Sequence, residues 1–281
     1  MPIANINGQS IAYDDTGGEG MVLLFCHGFL MDRSMFDAQI EFFRDDFRCV
    51  SWDERGFGET PAEASFTYWD SADDAVALMD HLGIDKAVLL GMSQGGFLAL
   101  RAALRYPERV QALVLIDSGV HIDPAQVTAG YQQMISHWMS EEPLGEVGVQ
   151  VAKLIINEAE LSRKWIDIWE SRDRYSIKYP AEALLTRDDI THRAAEIECP
   201  VLIVHGEEDQ SITIDRAELL SGQISDCRGL LRVPGAAHAS NMTHPEIVNP
   251  GIAAFLQALA LEEIALPSAR SLRCEQRSAA R

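Results

Sequence analysis

Across 281 residues the sequence holds no uninterrupted apolar run of the roughly 18 residues that a membrane-spanning helix needs. Its first residues, MPIANINGQS, lack the basic stretch and apolar core of a secretory leader, so the expected setting is the cytoplasm. Cysteine is scarce: the five are odd in number, and no two stand at a C-x-x-C or other metal-ligand spacing. Cys26 and Cys49 lie inside apolar runs, and Cys199 and Cys227 flank later strands, which reads as reduced structural thiols and not a disulfide framework. Positive charge is also short, with 23 Lys and Arg against 43 Asp and Glu and a formal net charge of −20. Such a surface repels nucleic acid and anionic membranes, which excludes both as expected partners, and it favours neutral or cationic small molecules. There is no internal repeat and no polar linker.

What is present is a chain of 47% hydrophobic composition, enough for one large core. Asn7-Gly8 between ANI and SIAY predicts a hairpin, because that pair tolerates positive φ at both central positions. The runs MVLLFC (21–26), FRCVSWD (47–53), KAVLLG (86–91) and VQALVLID (110–117) read as buried strands. Helical spacing fills 34–45, 68–82 and 94–106 between or after them. Alternation of strand and helix implies βαβ units and a mostly parallel sheet with helices on both faces. The rhythm breaks from 122 to 190, where only helical runs appear, and returns with PVLIVHG (200–206), a helix near 214–222, RGLLRV (228–233) and a last helix near 246–262. The expected organisation is a core of 1–121 and 191–263, a helical cap insertion at 122–190, and a mobile basic tail at 264–281 with four arginines and one glutamate.

The stretch Gly91-Met92-Ser93-Gln94-Gly95-Gly96 joins a buried strand to a helix. G-x-S-x-G in that context is a nucleophile elbow: the backbone packs closely on both sides, and the serine hydroxyl points out at the carboxyl end of the sheet. A serine needs a base, and in this architecture the acid and then the histidine follow later strand ends. Asp209 follows strand 201–205, and His238 lies in the loop after Val233, so His238 would take the Ser93 proton while Asp209 orients the imidazole. Glu207 and Glu208 are rival acids and His244 a rival base, although His244 precedes Pro245 and reads as a helix cap. Asp117 ends a strand and reads as a ligand for backbone N–H groups, and His205 as a core histidine. The expected oxyanion donors are the backbone N–H of Gln94, at the positive end of its helix, and of Phe29, in a loop whose shape His27 holds. Candidate pocket residues are Leu30, Met92, Tyr131, Met134, Trp138, Trp165 and Trp169, the aromatic ones having core packing between cap helices as the alternative.

His27-Gly28-Phe29, Asp53-Glu54-Arg55-Gly56-Phe57-Gly58, the serine elbow, the GEEDQSI loop and GAAHASN, in that order over about residues 3–262, resemble the α/β-hydrolase superfamily. The nearest branch holds 3-oxoadipate enol-lactonases, small carboxylesterases and cofactor-free haloperoxidase-like enzymes. The resemblance implies an eight-stranded sheet with a helical cap over Ser93, and acyl transfer to water through a covalent ester on Ser93 without metal or organic cofactor. Haloalkane dehalogenases and epoxide hydrolases of this fold carry aspartate where Ser93 stands. Phe29-Leu30-Met31-Asp32 differs from the longer glycine-proline stretch of carbon–carbon bond hydrolases, and Phe29 from the tryptophan frequent in haloperoxidase-like relatives. The expectation is a serine hydrolase for a small or medium carboxylic ester or lactone, with a homo-oligomer left open. The alternatives are a small-ligand receptor that keeps the triad but turns over poorly, and a carbon–carbon bond hydrolase or perhydrolase-type relative.

Overall fold

The computed structural model describes residues 2–265, so the expected tail at 264–281 lies, beyond Ala265, outside the described residues. Asn7 and Gly8 take φ of 48° and 73°, as a type I′ turn requires, and join strand β1 (Ile3–Ile6) to β2 (Gln9–Asp15). The buried apolar runs become β3 (Val22–Cys26), β4 (Arg48–Trp52), β5 (Ala87–Met92) and β6 (Val110–Ile116). They continue as β7 (Val201–Gly206) and β8 (Cys227–Val233). The eight strands form one sheet in the order β1-β2-β4-β3-β5-β6-β7-β8. Only β1 with β2 and β2 with β4 pair antiparallel; every later pairing is parallel.

Helices α1 (Asp37–Phe43), α2 (Tyr68–His81) and α3 (Gln94–Arg105) occupy the first half. Between β6 and β7 stand α4 (Ala125–Trp138), α5 (Gly145–Ile155), α6 (Ala159–Ser171) and α7 (Lys178–Leu185). Then come α8 (Ile214–Gln223), the short α9 (Ser240–Thr243) and α10 (Pro245–Ala265).

Because side chains alternate along a strand, a strand covered on both sides must be apolar throughout. All five residues of β3 are buried: Leu24 and Cys26 belong to the apolar cluster that takes in α2, α3 and α8, while Leu23 and Phe25 belong to the one that takes in α1, α10 and the inserted helices. A parallel sheet puts the carboxyl ends of its strands on one edge, and the loops after β3, β5, β7 and β8 gather there. No helix among the described residues is long and apolar enough to cross a membrane.

Candidate active site

At the end of β5 the chain turns through Ser93 at φ 50° and ψ −113°, a conformation L-residues rarely adopt. Its surroundings hold it there. Ser93 N donates to Ile116 O at 2.9 Å, and Ser93 O accepts from Gly96 N at 2.9 Å and from Ser118 Oγ at 2.7 Å. The small residue after it is a packing requirement: a Cβ on Gly95 would lie 1.9 Å from the Cys26 carbonyl oxygen. A second close approach, at Gly206, lets the loop after β7 touch the loop after β8, since a Cβ there would lie 2.3 Å from Ala237 O.

Those two loops carry Asp209 and His238. His238 Nε2 lies 2.9 Å from Ser93 Oγ, and His238 Nδ1 lies 2.7 Å from Asp209 Oδ2. A carboxylate only accepts, so the hydrogen-bond network assigns the proton to Nδ1 and leaves Nε2 to accept from the serine hydroxyl. Asp209 Oδ1 takes the N–H groups of Ser211 at 2.8 Å and Ile212 at 3.0 Å, which fixes the carboxylate plane. Burial alone would lower the His238 pKa, but the Asp209 charge and hydrogen bond outweigh it and the net shift is upward. Burial would raise Asp209; the charges and hydrogen bonds of His238 and His205 outweigh it and hold Asp209 below the usual carboxylate range.

The rival residues fall elsewhere. Glu207 and Glu208 are exposed. His244 bonds to Thr243 Oγ1 at 2.9 Å, and its carbonyl accepts from Ile247 and Val248 at the start of α10. Asp117 is fully buried and accepts from Gly206 N at 2.8 Å, Ser240 N at 2.9 Å and Ser240 Oγ at 2.6 Å, so it ties together the loops that carry Asp209 and His238. Burial pushes its carboxyl up to about 6. His205 is buried in β7, where Nε2 donates to Ile212 O at 2.6 Å.

Asp117, His205 and Asp209 bring three potential metal-ligand atoms within 4.8 Å of one another. Their chemistry does not fit an ion. Both Asp117 oxygens and both Asp209 oxygens already accept hydrogen bonds, and His205 Nε2 must be protonated to reach a carbonyl.

The loop after β3 is braced by His27, whose Nδ1 donates to Gly28 O at 2.9 Å while Nε2 accepts the Glu54 N–H at 2.9 Å. Both ring nitrogens are occupied in the neutral form, and burial lowers the His27 pKa. Among the described residues the Phe29 N–H has no acceptor, and Gln94 is the first residue of α3, where an N–H has no partner within the helix.

A cavity of about 670 Å³ lies over Ser93 and His238. Leu30, Met92, Tyr131 and Met134 line it, together with Phe29 and His137. The expectation for Trp138, Trp165 and Trp169 is corrected: they do not line this cavity. Trp138 and Trp169 meet edge to face at 5.2 Å, Trp165 lies 6.3 Å from Trp169, and all three are buried among α4, α6 and the body. Their helical spacing suits a packing seam as well as a pocket wall, and the seam is what forms. Trp138 and Trp169 border a separate hollow of about 130 Å³ next to Leu30.

Sequence reasoning passed over Phe97, Leu184, Asp123, Arg187 and Arg216, which also face the cavity. Phe97 had a signal, standing four residues after Ser93 on the same helix; the others meet only through the fold.

The alpha/beta hydrolase fold family profile matches residues 21–245. The chain is 27% identical to a bifunctional esterase/perhydrolase of Acinetobacter calcoaceticus, over 90% of this chain and 98% of that protein. It is 25% identical to a 3-oxoadipate enol-lactonase of Acinetobacter baylyi, over 84% of this chain and 88% of that protein. Among solved structures, a thermophilic esterase from Thermogutta terrifontis superimposes with a TM-score of 0.83 at 28% identity, covering 90% of this chain and 96% of that one.

Proposed function

Given that this chain belongs to the alpha/beta hydrolase fold family, we propose that it is a serine hydrolase that cleaves a small or medium carboxylic ester or lactone. The observation that carries this reading is the unbroken line of two hydrogen bonds, 2.9 Å from Ser93 Oγ to His238 and 2.7 Å from His238 to Asp209. Ser93 Oγ attacks the carbonyl carbon as its proton passes to His238 Nε2, and Asp209 stabilises the imidazolium. The N–H groups of Phe29 and Gln94 receive the oxyanion, aided by the positive end of α3. Collapse breaks the carbon–oxygen bond and His238 returns its proton to the leaving alcohol, which in a lactone stays attached to the acyl chain. Water, deprotonated by His238, then attacks the Ser93 ester, and His238 returns that proton to Ser93 Oγ as the acyl–oxygen bond breaks and the acid leaves.

A cavity of about 670 Å³ is within the usual range for small-molecule sites, which favours a small ester over a polymer. The related esterase and enol-lactonase support the same substrate class. The proposed setting is the cytoplasm, which suits the free thiols of Cys26, Cys49, Cys199 and Cys227.

The test is steady-state hydrolysis of p-nitrophenyl acetate through octanoate, with Ser93→Ala alongside. The reading requires multiple turnover by the wild type and a loss of several powers of ten in the variant. A single burst without turnover would move the protein to the ligand-receptor class. Equal rates in the two proteins would remove Ser93 from the chemistry.

A further inference from the structure

One wall of the cavity is built from charge. Asp123, just before α4, accepts from Arg187 through Oδ2 at 2.8 Å and from Arg216 through Oδ1 at 3.0 Å. Arg187 follows α7 and Arg216 belongs to α8, so three separate segments converge. Asp123 is the only acidic residue lining the cavity among the described residues, in a chain that has 43. Two guanidinium groups, which cannot lose their protons in a protein, face one carboxylate and leave that wall at a formal +1 inside a chain of −20.

The arginines differ in what they have left to offer. Arg187 also donates to Leu184 O at 2.7 Å and lies 4.8 Å from the Phe97 ring. Phe97 N in turn bonds the Ser93 carbonyl, so one helical turn links this wall to the serine. Among the described residues the Arg216 guanidinium has a single hydrogen-bonding partner, Asp123, and the side chain is 22% exposed. A guanidinium has five donors in a planar fork that matches a carboxylate. Met134, Leu184 and Ile212 are among the apolar residues that line the same cavity as this wall and Ser93.

We propose that Arg216, held by Asp123 and backed by Arg187, is a carboxylate subsite, and that the substrate is an ester or lactone bearing a carboxylate remote from the scissile carbonyl. This deepens the Ser93 hydrolase reading and rests on it. The acidic surface, which on whole-chain charge favours neutral or cationic substrates, does not decide the matter. Its charges are screened beyond about 8 Å at physiological salt, whereas a guanidinium–carboxylate pair acts in direct contact inside the cavity.

The experiment compares matched esters that differ only at the far end: mono-p-nitrophenyl esters of glutaric, adipic and pimelic acid against p-nitrophenyl pentanoate, hexanoate and heptanoate. Wild type should favour the carboxylate-bearing ester in at least one pair by about tenfold in kcat/KM. In Arg216→Gln that ratio should fall by about tenfold, chiefly through KM for the anionic ester, and Arg216→Lys should restore part of it. Thermal unfolding checks that each variant is folded. A wild type that prefers the neutral member of every pair overturns the proposal. So does a ratio that Arg216→Gln leaves unchanged, because a contact that merely ties the two ends of the inserted helices to α8 would alter both esters alike. Hydrolysis of neutral esters alone would sink the subsite and leave the Ser93 reading standing; no Ser93-dependent hydrolysis of any ester would sink both.

Discussion

His238 is pulled two ways: burial disfavours its charge, and the Asp209 carboxylate 2.7 Å away favours it more strongly. On the proposed mechanism its raised pKa sets the acid limb of activity, because only the neutral imidazole can accept the Ser93 proton. kcat/KM should therefore rise with pH around a midpoint above the ordinary histidine value of about 6.5. A pH–rate profile from 5 to 9 checks this, and a flat profile would contradict the base assignment. Asp209→Asn removes the charge that raises that pKa and admits the other imidazole tautomer. We expect a loss of about 10³–10⁴ in kcat, smaller than for Ser93→Ala, with the remaining acid limb displaced to lower pH. A silent Asp209→Asn would instead assign the acid to a neighbour such as Glu208. Ser93, Asp209 and His238 could be read from the sequence because each follows a recognisable apolar strand, and a parallel sheet brings the carboxyl ends of its strands to one edge. Asp123, Arg187 and Arg216 could not, because no local pattern records that three charged residues up to 93 positions apart share one wall.

The inserted helices hold the loop after β3 at two places: Arg172, at the end of α6, pairs with Asp32, and Trp169 bonds to Leu30. Leu30 has φ 65°, unusual for a residue with a Cβ, and Trp169 Nε1 of α6 donates to its carbonyl at 2.7 Å. Leu30 directly follows Phe29, the proposed oxyanion donor, so the tryptophan fixes the backbone beside that N–H. Trp169→Phe leaves a buried carbonyl without its donor, at a cost of about 1–3 kcal/mol. Both the melting temperature and kcat should fall, with KM changed less. A lower melting temperature with unaltered kcat would show that the bond is structural only. The sequence showed helices here but not which faces they bury: Trp165 and Trp169 share a face whether that face meets substrate or another helix. Pro180 stands in the first turn of α7, where its missing N–H leaves no bond unmade.

Stability and activity should respond to pH in opposite senses. Buried Asp209 and Asp32 have lowered pKa values, since hydrogen-bonding and charged partners outweigh burial; their stabilisation is present above the ordinary carboxylate pKa and lost on acidification. Asp117, raised by burial from 3.8 to about 6, and Glu54, raised well above 4.5 by burial, act the other way: the folded state binds their protons more tightly, so stability falls as pH rises through their folded values. His238, also raised, adds a loss of the same sign as pH rises from about 6.5 through its folded pKa. The excess of acid reinforces this, because the formal charge of −20 at pH 7 makes the folded chain repel itself. The melting temperature should therefore peak near pH 4–5, just above the window where Asp209 and Asp32 protonate, and decline toward pH 8 while kcat/KM climbs. Added salt screens the repulsion between surface charges but hardly reaches the buried carboxyls, so it should recover part of the decline at pH 8 and do little at the peak. Thermal unfolding from pH 4 to 9 at about 0.02 and 0.5 M salt separates the two contributions. A melting temperature that rises steadily to pH 8 would mean that Asp117 and Glu54 impose no penalty when ionised, and that the loops carrying Asp209 and His238 are joined by a carboxylate already charged at mildly acidic pH.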